Sequence, residues 1–254
     1  MIFEKEGEIA HVTLNRPRRA NLYNVQMRDD LYEVLTAVRD DPGVRAVIFS
    51  GAGDGFCGGA DLTEFGTAPS PTIARDVRWA RDVWGVLKDM DKLTVAAMHG
   101  YALGSGLEMA LLCDLRLAAE GTRFGLPEVG LGLIPAAGGT QGAARVAKLG
   151  TALAMVLTGA RMDAWDAYRI GLVHRVVPRE ALPAEAETMV HRVLSAGPAA
   201  LVLAKAAVNG GMDLTLEQGL HLEERLNDLA YRTRDAWEGI RAAAEGCAPV
   251  FRGR

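Results

Sequence analysis

Glu108 is the residue hardest to explain as packing. It stands in Leu107-Glu108-Met109-Ala110-Leu111-Leu112, an otherwise apolar run, where an ionised carboxylate is costly to bury unless it is paired or used. The competing account is a solvent-facing acid favoured by the positive end of the helix that starts beside it. A second acid, Glu128, follows Pro127 in the loop-rich segment from Thr122 to Pro135. Two carboxyls in different protonation states can deliver one proton and remove another. Charge then develops on the substrate between them, and two glycine turns are candidates to meet it. These are Phe56-Cys57-Gly58-Gly59-Ala60-Asp61-Leu62 and Gly100-Tyr101-Ala102-Leu103-Gly104-Ser105-Gly106. The backbone N–H groups of Ala60 and Ser105 could face a single carbonyl oxygen as a paired oxyanion hole, each donor worth about 3–4 kcal/mol.

The same glycines admit two other readings. Gly104-Ser105-Gly106 opening a helix, with Glu128 onward as a ribose acid, suggests a dinucleotide site. It fails in detail, because Met109 occupies the third small position and Glu128 follows a proline. A nucleophile elbow at Ser105 lacks its first glycine, since Leu103 stands there.

Positioning these groups takes alternating strands and helices. Ile9–Leu14, Val44–Ser50, Thr94–Met98, Leu115–Ala118 and Val173–Val177 read as strands. Leu31, Val34, Leu35 and Val38 fall at helical spacing, and Asp41-Pro42-Gly43 ends that helix. Ile73, Val77, Ala80, Trp84 and Leu87 form one helical stripe, expected to pack in the core. A helix from Gly138-Gly139-Thr140 to about Leu149, another over Ala164–Arg169, and an almost wholly helical pattern from Ala181 onward complete the chain. The expectation is an α/β core with a helical C-terminal extension.

Composition narrows the function. The chain has 254 residues, 49% apolar and 24% charged, with a formal charge of −4. That balance supports a sizeable core and argues against a nucleic-acid surface as the main business. Three widely spaced cysteines, Cys57, Cys113 and Cys247, with no secretory signal, predict reduced thiols and a cytoplasmic location. No window carries the roughly 18 apolar residues of a membrane span, and five scattered histidines give no metal-ligand spacing.

An ordered set of landmarks then resembles the enoyl-CoA hydratase/isomerase (crotonase) superfamily over essentially the whole length. They are Asn15-Arg16-Pro17, Asn21-x-x-Asn24-x-x-Met27, the two glycine turns ending in Leu107-Glu108, Pro127-Glu128 and Ile134-Pro135-x-x-Gly138-Gly139-Thr140-Gln141. Thr158-Gly159, Gly171-Leu172-Val173, Val176-Val177-Pro178 and the tail Pro249-Val250-Phe251-x-Gly253-Arg254 follow. The resemblance implies a ββα spiral core over residues 1–195 and a helical region over 196–254 that builds trimers, commonly stacked as hexamers. It implies a coenzyme A thioester as substrate, with no metal or redox cofactor. Carried over, Ala60 and Ser105 supply the oxyanion donors, Glu108 and Glu128 match both glutamates of the hydratases, and Arg18, Ala20, Asp61 and Leu62 hold the nucleotide end of coenzyme A. Leu22-Tyr23 falls beside the expected adenine site. Retention of both glutamates points to addition of water across a 2,3-double bond. An isomerase, a dienoyl-CoA hydratase or a carbon–carbon lyase would reuse the same oxyanion hole. A non-catalytic assembly or RNA-binding subunit is opposed by the retained acids and the negative charge.

Overall fold

The computed structural model describes residues 1–253, so Arg254 of the expected C-terminal tail lies outside them. The chain packs as two compact units, residues 1–187 and 188–254. The first opens with β1 (Ile2–Glu6), β2 (Ile9–Leu14), α1 (Val25–Asp40), β3 (Ala46–Gly51), α2 (Pro71–Trp79), α3 (Val83–Lys88) and β4 (Leu93–Met98). It continues with β5 (Tyr101–Leu103), α4 (Ser105–Leu112), β6 (Leu115–Ala119), β7 (Arg123–Gly125), α5 (Gly139–Val146), α6 (Leu149–Thr158), β8 (Met162–Asp163), α7 (Ala164–Arg169) and β9 (Arg175–Val177). Next, α8 (Leu182–Leu194) carries the chain into the second unit, which holds α9 (Pro198–Gly211), α10 (Leu216–Tyr231) and α11 (Arg234–Glu245).

Six strands form the main sheet in the order β1-β2-β3-β4-β6-β9. Only β1 runs antiparallel to its neighbour. The run Val47-Ile48-Phe49 of β3 and the run Val95-Ala96-Ala97-Met98 of β4 are buried on both faces, as parallel strands covered on either side must be. A second layer pairs β5 with β7 in parallel and β7 with β8 antiparallel. Single parallel bridges, Tyr23 to Ala60 and Cys57 to Ala102, extend that pairing through both glycine turns. The recurring unit is a main-sheet strand, a short second-layer segment and a helix, which is the expected ββα spiral in an α/β fold.

Local chemistry explains the entry to the site. Asn24 caps α1, its side chain accepting from Met27 N at 3.0 Å, which satisfies one of the helix's unpaired N–H groups. Asn21 is fully buried and lies in the left-handed region at φ 51°. Its amide donates to the carbonyls of Ala52 and Gly55, both at 2.8 Å, and its Oδ1 accepts from Arg16 N at 2.7 Å. The Arg16–Asn21 turn is thereby fastened to the loop leading into the first glycine turn.

Several elements depart from the sequence reading. The 73–87 stripe is two helices, not one. Asp82 breaks it by accepting from Gly85 N at 2.8 Å as the cap of α3. The expected core role holds for Trp84 and Leu87 but not for Ile73 and Val77, which are 45% and 46% exposed. Strand β1 is exposed along its length and carries no alternation to read. The helix expected to run on to Leu149 ends at Val146, and α6 starts separately. In the second unit α9 continues through Gly210 and Gly211. Its tail is well held, with Arg252 N and Gly253 N donating to the Asp235 carboxylate at 2.8 and 2.6 Å.

Candidate active site

Two peptide groups define the site, and each is aimed by its own carbonyl. In a trans peptide the N–H points opposite to the C=O. The carbonyl of Gly59 accepts from Tyr23 N at 2.8 Å, so the N–H of Ala60 in the same peptide turns the other way. The neighbouring turn lies close by, since a Cβ placed on Gly59 would come 3.3 Å from Leu103 O and 3.9 Å from Gly104 Cα. The carbonyl of Gly104 accepts from Glu108 N at 2.9 Å along α4. The Ser105 N–H therefore points back out of the helix start, where no intrahelical acceptor exists. Gly59 at φ 110° and Gly104 at φ 49° adopt conformations that a side chain would resist.

The two acids flank this pair. A Cβ on Gly104 would fall 2.7 Å from Glu128 Oε1, and one on Gly139 would fall 2.8 Å from Glu108 Oε1. These glycines therefore make room for the carboxyls. Glu108 is 2% exposed, which rules out the solvent-facing account. Its Oε1 accepts from Ala137 N at 2.8 Å and Gly139 N at 3.0 Å. Burial, with the neighbouring Glu128 charge adding to it, nevertheless pushes its carboxyl up to about 7 against those two bonds and the nearby Ser105 hydroxyl. Burial also raises Glu128, whose Oε2 is enclosed with no hydrogen-bond partner among the described residues. Neither carboxyl has a cationic partner among those causes. Glu108 is thereby poised to hold or release a proton near neutrality, and Glu128 keeps its proton more tightly than an ordinary carboxyl.

Both acids and both donors line one cavity of about 480 Å³, walled by Tyr23, Leu62, Phe65, Trp79, Trp84 and Ile134 among others. The aromatic wall went unread in the sequence. Trp84 was assigned to core packing, and it is 8% exposed but also faces the cavity. Tyr23, expected beside the adenine site, is 3% exposed and packs on Trp84 with ring centroids 5.2 Å apart.

The four residues expected at the nucleotide end are placed unequally. Leu62 is exposed at the cavity wall. Arg18 is exposed in a short turn over Pro17–Arg19, outside the cavity lining. Ala20 is left-handed at φ 52°, and its carbonyl accepts from Gly58 N at 2.9 Å. The Asp61 carboxylate is already engaged. It accepts from Thr63 Oγ1 at 2.6 Å, Thr63 N at 3.2 Å and Arg16 Nη2 at 3.1 Å. Those contacts, the Thr63 hydroxyl foremost, hold it below the usual carboxylate range.

Comparison with known proteins agrees with this geometry. The family profile described as enoyl-CoA hydratase/isomerase matches residues 4–254. The chain is 37% identical over 246 residues to a crotonyl-CoA hydratase of Syntrophomonas wolfei, covering 96% of this chain and 95% of that one. It is 35% identical to a short-chain-enoyl-CoA hydratase of Clostridium acetobutylicum, covering 96% and 94%. The crystal structure of an enoyl-CoA hydratase from Bacillus anthracis superposes with a TM-score of 0.94 at 34% identity, covering 100% and 99%. With its fold, its glycine turns and its paired acids on one cavity, the chain belongs to the enoyl-CoA hydratase/isomerase family.

Proposed function

We propose that this protein is an enoyl-CoA hydratase, a hydro-lyase that adds water syn across the 2,3-double bond of a 2-enoyl-CoA thioester to give a 3-hydroxyacyl-CoA. The observation that carries the reading is the pair of carboxyls, both raised by burial, that line one cavity together with Ala60 and Ser105. The thioester oxygen lies between Ala60 N–H and Ser105 N–H, which stabilise the enolate-like charge as it forms. One carboxylate takes a proton from water as its oxygen attacks C3, and the other carboxyl delivers a proton to C2. Coenzyme A enters as part of the substrate. Arg18, as an exposed cation, and Leu62, exposed at the cavity wall, with Ala20 and Asp61 shaping the turns beside them, are the groups we assign to its nucleotide end. The three widely spaced cysteines support a reducing, cytoplasmic setting.

Hydration of crotonyl-CoA, followed as loss of the enoyl-thioester absorbance, tests the reading. Turnover is expected to follow the singly protonated pair, giving a bell in kcat/KM. The alkaline limb falls as pH passes about 7, when the pair loses its last proton. Stability moves in the same sense. The folded-state value for Glu108 lies above its unfolded one, so the folded state holds a proton the unfolded chain gives up. That stabilisation is complete below the ordinary carboxylate range and is lost as pH rises through about 7. A protein that leaves crotonyl-CoA and longer 2-enoyl thioesters untouched, but shifts a 3-enoyl double bond, would be an isomerase instead.

We further propose that the chain assembles as a trimer or a dimer of trimers through residues 196–254. Leu216 is 81% exposed, Val208 68% and Leu220 55%, an apolar surface that one copy leaves in water. Light scattering should return three or six times the 27.1 kDa chain mass. A mass near that of one chain at micromolar concentration contradicts the proposal.

A further inference from the structure

The first turn of α4 holds the Ser105 donor, with Glu108 N donating to Gly104 O at 2.9 Å, but the Ala60 donor has thinner support. Its peptide belongs to an isolated one-residue bridge, in which Tyr23 N donates to Gly59 O and Asp61 N donates to Tyr23 O, each at 2.8 Å. A single bridge has no flanking ladder to keep it in register. Arg78, near the end of α2, reinforces it from outside the strand. Its Nη1 donates to Tyr23 O at 3.2 Å and its Nη2 to Asp61 O at 2.8 Å. One planar guanidinium thus binds a carbonyl on each side of the bridge. Arg78 is 9% exposed, its Cζ lies 4.5 Å from the centre of the Phe65 ring, and Nη2 also reaches Glu64 Oε2 at 3.0 Å. Glu64 in turn accepts from Val25 N at 3.1 and 3.2 Å, tying the same fork to the first turn of α1.

A buried charge is costly in an apolar site unless it satisfies groups that need it. Burial holds the Arg78 guanidinium below its ordinary value, so its retention against the cavity calls for a function. We propose that Arg78 is a positioning residue for catalysis: its two-carbonyl clamp fixes the Gly59–Ala60 peptide so that the Ala60 N–H meets the thioester oxygen. The inference rests on the oxyanion role of Ala60 N–H. It needs the fork, and not merely the charge, because a lysine ammonium cannot present two donors in the same fixed plane.

The test uses full-length protein and two readouts. One is crotonyl-CoA hydration, split into kcat and KM. The other is the absorption of bound 4-dimethylaminocinnamoyl-CoA, whose long-wavelength band moves red as its carbonyl is polarised. Arg78→Met should lower kcat by about 10²-fold, the lower end for loss of one oxyanion donor, with KM within threefold and a clearly smaller red shift. Arg78→Lys should recover only part of either. If Arg78→Met does not fold, Arg78→Lys decides by the same two measurements. A red shift equal to wild type in the variant, a loss confined to KM, or full recovery in Arg78→Lys overturns the clamp. A wild-type enzyme that hydrates crotonyl-CoA yet leaves the probe unshifted overturns the oxyanion assignment and this inference with it.

Discussion

Glu128→Gln and Glu108→Gln should each reduce hydration to about 1% of wild type or less, the smallest loss expected when a general acid or base is removed. The two variants test different steps while leaving the fold intact. In Glu108→Gln the amide oxygen can still accept from Ala137 N and Gly139 N, which are 2.8 and 3.0 Å from the present Oε1. The substitution also removes a carboxyl whose ionised form is penalised by burial. Melting temperature should therefore hold or rise at pH 8 even as turnover collapses. In Glu128→Gln the new amide takes the place of an oxygen pair that includes the unpartnered Oε2, so little structural support is lost. Each variant should also flatten one limb of the pH profile, because only one titrating group remains. Near-native turnover in either folded variant would remove that residue from the mechanism.

Ser105→Pro should abolish turnover, with a loss of about 10²–10³-fold or more, in a protein that still folds. Ser105 is the first residue of α4, the helix position that proline tolerates best and whose N–H the helix does not use. The residue before a proline must avoid the helical region. Gly104, at φ 49° and ψ −126°, sits in the mirror image of the polyproline region, open to an achiral residue. Proline thus deletes the donor together with the hydroxyl that faces Glu108, and the Ser105→Gly variant isolates the loss of the hydroxyl. Ser105→Gly keeps the donor and should cost less than about tenfold. Its main effect should be an upward drift of the pair's apparent pKa, since the Ser105 hydroxyl lowers that of Glu108. A folded Ser105→Gly variant that loses more than about 10²-fold in kcat/KM would overturn the backbone account and make the hydroxyl the reacting group.

The proposed acids were legible because a carboxylate among leucines, and glycines bunched between a strand and a helix, are locally anomalous. Asp61 was not legible. An acid after a glycine turn looks available for a ligand, and only three-dimensional contacts show it spent on Thr63 and Arg16. The aromatic wall was hidden by periodicity, since the spacing from Ile73 to Leu87 continues across the break at Arg81-Asp82 that Asp82 creates by capping α3. Strands β5, β7 and β8 span two or three residues each, too few for alternation to register. Arg78 left no signal at all, because its partners are carbonyls 17 and 55 residues away.

That both proposed oxyanion donors belong to the main chain has a consequence for how such an enzyme changes over generations. Drift at positions 60 and 105 is filtered only for proline and for bulk, while inheritance of the function concentrates on Gly59 and Gly104, whose φ values of 110° and 49° no other residue reproduces cheaply. Side chains around the pair can then be exchanged without rebuilding the two peptide groups themselves.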